Sequence, residues 1–149
     1  MHVEAAKPPA ATRFHRSYPG TQDQVREVRT DLALVVDGCP FADDFVLLAS
    51  ELSTNAIVHS RSGLPGGVFT VRAELQPGRY AWLEVEDQGG PWIERDTGEE
   101  HGRGLVLVAY LVGDGNWTVR DGSTPGTRVV RARLDWAAQP CEEALRERC

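Results

Sequence analysis

The chain has 149 residues, 41% of them hydrophobic and 26% charged, with a net charge of −6 at neutral pH. That length supports one hydrophobic core and not two, and an acidic balance with no basic run argues against binding nucleic acid through its phosphates. No apolar stretch approaches the roughly 20 residues of a membrane-spanning helix, and residues 1–14 (MHVEAAKPPAATRF) contain no apolar secretion core; a cytoplasmic protein with no membrane contact is expected.

Cys39, Cys141 and Cys149 form an odd set without a CxxC pair, which reads as ordinary thiols more readily than as a zinc or disulfide framework. Of the 16 basic residues 15 are arginine, and the single lysine, Lys7, lies in an Ala/Pro-rich N-terminal tail, residues 1–12, expected to be disordered. The folded part therefore has no lysine for a Walker A loop, a Schiff base or the strand position of eukaryotic-type protein kinases.

In chain order, residues 12–17 predict a first strand stopped by Tyr18-Pro19-Gly20. Thr21 with Gln24 three residues later predicts a capping box, opening a helix that runs to about Val36. Val25, Val28, Leu32, Val35 and Val36 share one stripe of that helix. A second helix is expected from about Ala42 to Ser60, with Phe45, Leu48, Ala49, Leu52 and Ala56 on its apolar face.

After a turn at 62–67, residues 68–75 and 80–86 read as a hairpin joined by Gln76-Pro77-Gly78-Arg79. The Gly-rich, charged stretch 88–102 reads as a mobile loop. Residues 105–112 are apolar all round, a buried element that the preceding glycines favour as a helix. Two closing strands, 117–120 and 127–134, flank an Asp-Gly-Ser-Thr-Pro-Gly turn, and residues 136–149 form a charged tail. Helices segregated from a mixed, mostly antiparallel sheet make an α+β two-layer sandwich over residues 13–135, and the missing βαβ alternation disfavours a Rossmann fold.

Three polar clusters punctuate this plan. On the second helix Glu51 and Asn55 stand one turn apart, at the edge of the apolar face. An amide oxygen suits Mg²⁺ that takes most of its ligands from phosphate and water, and a neighbouring carboxylate can orient or deprotonate a nucleophile; an ExxxN pair is also a common surface pattern. His59, a turn further on, reads as a structural histidine at the rim more readily than as a ligand or phosphoacceptor.

The second cluster closes the strand at 80–86. Alternation puts Leu83, Val85 and Asp87 on the inward face, and a carboxylate there needs a partner. The exocyclic amine of adenine would serve, with Gly89 letting a base approach the backbone; a turn aspartate is the alternative. In the third cluster Gly102, Arg103 and Gly104 precede the apolar element, where backbone amides and a guanidinium could cradle phosphate, or the glycines could be a hinge. Thr127 could donate to a phosphate or be an ordinary strand threonine.

ELSTNAIVHS, residues 51–60, and HGRGLVLV, residues 101–108, with the Asp87–Gly89 corner between them, resemble the motifs of the Bergerat-type (GHKL, histidine-kinase-like) ATP-binding domain. Within it the chain resembles the stand-alone bacterial anti-sigma factor serine/threonine kinases, from about Phe14 to Leu134. The resemblance implies ATP and Mg²⁺ as cofactors, Asn55 as the metal ligand, Glu51 as the catalytic base and Asp87 on the adenine amine beside Gly89. It further implies Gly102, Arg103, Gly104 and Leu105 at the phosphates, with Thr127 touching nucleotide. Such kinases transfer the γ-phosphate to a serine or threonine of an anti-sigma antagonist protein, sequester a sigma factor and commonly form homodimers. One departure is Pro91, at the second glycine position of the first glycine box, where it stiffens the loop and removes an amide. It leaves room for a catalytically weak module that regulates a partner by ATP-dependent sequestration.

Overall fold

A computed structural model describes residues 10–90, 108, 110–113 and 115–136. Five strands, β1 (Thr12–Pro19), β2 (Val68–Gln76), β3 (Tyr80–Asp87), β4 (Trp117–Asp121) and β5 (Arg128–Asp135), join in one sheet of order β1-β2-β3-β5-β4. Every pairing among the described residues is antiparallel, so the parallel component of the expected mixed sheet is not found there. Helices α1 (Gln24–Val35) and α2 (Ala42–His59) pack together and cover one face. The α+β two-layer expectation holds.

The period of two in β2 and β3 explains the layering. Phe69, Val71, Ala73 and Leu75, with Ala81, Leu83 and Val85, are buried under the helices. Against them lie Val25, Val28, Leu32 and Val36 near α1, and Phe45, Leu48, Ala49, Leu52 and Ala56 of α2, the two stripes that helical spacing predicts. Tyr18 stacks on Phe69 at 5.3 Å, and its hydroxyl donates to Asp31 of α1 at 2.6 Å. Burial, followed by that bond, pushes the phenol's pKa upward. The strand therefore runs through Tyr18 and Pro19, where the sequence suggested a stop: docking of the ring prolongs the pairing.

Three other expectations are corrected. No capping box forms; Thr21 offers its backbone carbonyl to the Gln24 amide at 3.0 Å, and α1 begins at Gln24 behind Asp23, which makes no side-chain cap bond. Trp136, expected in the charged tail, packs edge-on against Phe41 at 5.4 Å and its amide donates to the Arg79 carbonyl. Residues 108 and 110–112 are helical, with Val108 buried, but Tyr110 is 85% exposed, so this apolar element is not buried all round. Residues 1–9 and 137–149, holding most of both expected tails, lie outside the described residues.

Candidate nucleotide site

Helix α2 supplies the first part of the site. Leu52, Ser53, Ala56 and Ile57 are buried along this helix, whereas Glu51 and Asn55 are half-buried at its margin. The four-residue spacing stacks them one above the other, and among the described residues neither side chain is committed to a hydrogen bond or ion pair. His59 is buried at the C-terminal end of the same helix.

The helix end is tied directly to the second cluster. Ser60 leaves the helix in extended conformation; its hydroxyl donates to the Ala56 carbonyl at 2.6 Å and accepts the Ser62 amide at 3.0 Å. This nucleates a single 3-10 turn, Arg61–Gly63. From that turn the Arg61 amide donates to the Gly89 carbonyl at 2.9 Å, and the Ser62 hydroxyl accepts the Gln88 amide at 2.9 Å. The segment following α2 thus grips the segment following β3, and two clusters separated by some thirty positions in the sequence become neighbours.

Asp87 lies on the helix side of β3, as its alternation predicts, at 3% exposure. A carboxylate removed from water needs hydrogen-bonding partners and counter-charge. One oxygen, Oδ1, accepts the Gly89 amide at 2.8 Å. The other, Oδ2, accepts Nη2 of Arg128 at 2.8 Å and Nε at 3.2 Å. Arg128 stands opposite Asp87 in the β3–β5 register. A carboxylate has about four acceptor positions, so these three bonds leave room on Oδ1 for one further donor.

Glycine is required beside Asp87 on two counts. Gly89 has φ +65°, the left-handed region, and a Cβ there would sit 1.8 Å from the Gly126 carbonyl oxygen of the β4–β5 turn. The backbone segments after β3 and before β5 therefore touch at a point no side chain could occupy.

Thr127 is placed differently from Arg128. Its hydroxyl donates to the Thr124 carbonyl at 2.7 Å within the turn and contacts the carboxylate of Glu86, which alternates to the opposite sheet face from Asp87. The residue that meets Asp87 is thus Arg128, which the sequence reading did not single out. Its signal was indirect: an inward acid needs a cation, but which of 15 arginines supplies it depends on how two non-consecutive strands align. Gly102, Arg103, Gly104 and Leu105, together with Pro91, lie outside the described residues.

The groups present suit an adenine nucleotide. Asp87 retains acceptor capacity next to backbone that carries no Cβ, and the free amide of Asn55 is a donor type that completes a Mg²⁺ shell made mainly of phosphate and water. Among the described residues there is no cluster of three or more His, Cys, Asp or Glu that could hold a metal ion.

Comparison with curated proteins gives no match. The sequence pattern of the histidine kinase-like ATPase domain matches residues 18–134, from the end of β1 to the penultimate residue of β5. With the antiparallel sheet, the one-sided helix layer and the joined α2 and β3 clusters, this match over most of the chain makes it a member of the histidine kinase-like ATPase domain family.

Proposed function

We propose that the chain is a Mg·ATP-dependent protein serine/threonine kinase of the anti-sigma type. In this reading it passes the γ-phosphate to a hydroxyl of an anti-sigma antagonist, sequesters a sigma factor and acts as a homodimer. The observation that carries ATP use is the junction just described, which joins Glu51 and Asn55 on α2 to Asp87 through Arg61–Gly89 and Ser62–Gln88 within a family-matched fold. The substrate and partner classes rest on the motif resemblance.

Asp87 accepts from the base amine and sets the nucleotide's register. Asn55 would hold the cation, which when bound would offset phosphate charge. Glu51, half-buried at the helix margin, takes the proton of the acceptor hydroxyl as the hydroxyl oxygen bonds to the γ-phosphorus and the bond to the β-phosphate oxygen breaks, releasing ADP. The phosphate cradle falls to Gly102, Arg103, Gly104 and Leu105. Thr127, whose hydroxyl is held in the turn, would need to rotate to touch nucleotide.

The test separates binding from transfer. Asn55→Ala should abolish Mg-dependent ATP binding in calorimetry. Glu51→Ala should keep ATP affinity and lose γ-³²P transfer to a partner co-purified from the native host. Equal ATP affinity in wild type and Asn55→Ala would remove the metal role, and undiminished transfer by Glu51→Ala would remove the base. A sequestering module that binds ATP without useful turnover is favoured by one observation, Pro91 in the first glycine box; it predicts tight partner capture with no labelled product from wild type.

A further inference from the structure

We propose that Arg128 is a positioning residue for base recognition, holding the Asp87 carboxylate so that Oδ1 faces the exocyclic amine of adenine. The inference rests on the ATP-binding reading and adds to it a residue that none of the three polar clusters contains.

The geometry differs from that of an ordinary structural ion pair. An arginine that only neutralises a carboxylate commonly meets both oxygens in a parallel fork. Here Nε and Nη2 converge on Oδ2 alone, at 3.2 and 2.8 Å, while Oδ1 is left to the Gly89 amide and one further donor. The carboxylate is thereby fixed in rotation about its own axis, with one oxygen anchored and the other presented.

The anchor is stiff. Side-chain exposure is 4% for Asp87 and 16% for Arg128, so water competes weakly. Both ends are also set by backbone: Arg128 by its register opposite Asp87, and Asp87 by the Gly89 amide two residues on. Without the guanidinium, Oδ2 would lose its charged donor and the carboxylate could turn, so that Oδ1 would no longer be aimed.

An interaction through Asp87 must depend on the ligand group that Asp87 reads, and this gives a test that a general loss of folding would not mimic. ATP and purine riboside 5′-triphosphate, which lacks only the amine, are titrated with Mg²⁺ into wild type, Arg128→Met, Arg128→Lys and Asp87→Asn by calorimetry, with thermal melting run in parallel. Wild type should prefer ATP, and Arg128→Met should lose about tenfold in ATP affinity, the scale of one charged hydrogen bond. Its affinity for the purine riboside nucleotide should stay near that of wild type. Arg128→Lys, which keeps the charge but lacks the two-nitrogen grip, should fall between and recover part of the preference; it also serves if the methionine variant does not fold.

Equal weakening towards both nucleotides in Arg128→Met and Arg128→Lys would assign the pair to stability alone and overturn the proposal. So would full retention of ATP preference in either variant. If wild type binds neither triphosphate, the nucleotide reading itself fails. If wild type shows the amine preference and the Arg128 variants keep it, only the positioning role fails.

Discussion

Strand β3 carries two buried carboxylates on opposite faces, and they are handled in contrasting ways. Glu84, on the face away from the helices, is 6% exposed and ringed by Arg120 at 2.9 Å, Arg131 at 3.4 Å and Arg72 at 3.6 Å, contacts that take in both its oxygens. Arg131 is further braced over Trp82 at 4.5 Å. Asp87, three residues on and facing α2, has one arginine on one oxygen and a backbone amide on the other. Burial alone therefore does not separate the proposed nucleotide-reading acid from a structural one. Saturation distinguishes them: the first is enclosed by cations that belong to the sheet, whereas the second keeps an acceptor pointed at a glycine-lined corner.

The most damaging way to disturb this contrast is at the corner itself. Gly89→Ala must accept a left-handed φ, which costs roughly 1–3 kcal/mol for a non-glycine residue, and must also push back the Gly126 carbonyl at 1.8 Å. A fall in stability of at least about 3 kcal/mol is expected, with nucleotide affinity lost even in the fraction that remains folded. Denaturant unfolding and ATP titration would check both, and a variant with unchanged midpoint and affinity would show that the two segments do not pack as described.

A smaller change should sharpen the comparison from the other face. Glu84→Gln keeps the volume but withdraws the charge from three arginines that are 29–51% exposed at their side chains. Because solvent reaches those guanidiniums, the expected loss is about 1–2 kcal/mol rather than the larger cost of a fully buried broken pair. ATP affinity should not move. If Glu84→Gln lowers ATP affinity as strongly as Asp87→Asn, the division of labour along β3 is wrong.

The mildest effect concerns acid. Glu86 is held below the ordinary carboxylate range: burial works to raise it, but the Arg72 guanidinium at 2.7 Å, the Thr127 hydroxyl and the Arg120 charge outweigh that. A group depressed on folding contributes stability that is complete above its unfolded value, near 4.5, and is lost as pH falls through the folded one. Thermal melting should therefore show Glu86→Gln below wild type at pH 7, with the gap closing below about pH 4.5. A gap that stayed constant down to pH 3 would mean that the carboxylate charge contributes nothing.

The parts of the molecule that were legible in the sequence are those governed by local periodicity. The α1 and α2 stripes, the β2–β3 hairpin and the inward placement of Asp87 all follow from spacings of 3.6 and 2, and each is found within a residue or two of its expected place. Errors gather where a long-range contact overrides a local signal. Tyr18-Pro19 reads as a stop but continues as strand because the Tyr18 ring stacks on Phe69, about fifty residues away. Thr21 reads as a cap but spends its carbonyl in the turn before α1. Trp136 reads as tail but closes over Phe41.

For the site, the sequence by itself determined the chemistry: which carboxylates, amides and glycines exist, and that Asp87 faces inward on its strand. Tertiary structure alone decided the partners. That Arg61 and Ser62 grip the chain at Gly89 and Gln88, and that Arg128 rather than Thr127 meets Asp87, depends on the antiparallel alignment of β3 with β5 and on where α2 ends against the sheet. Side-chain direction along one element is fixed by backbone geometry within a few residues. Proximity between elements is fixed by how the whole core packs, and no local spacing encodes it.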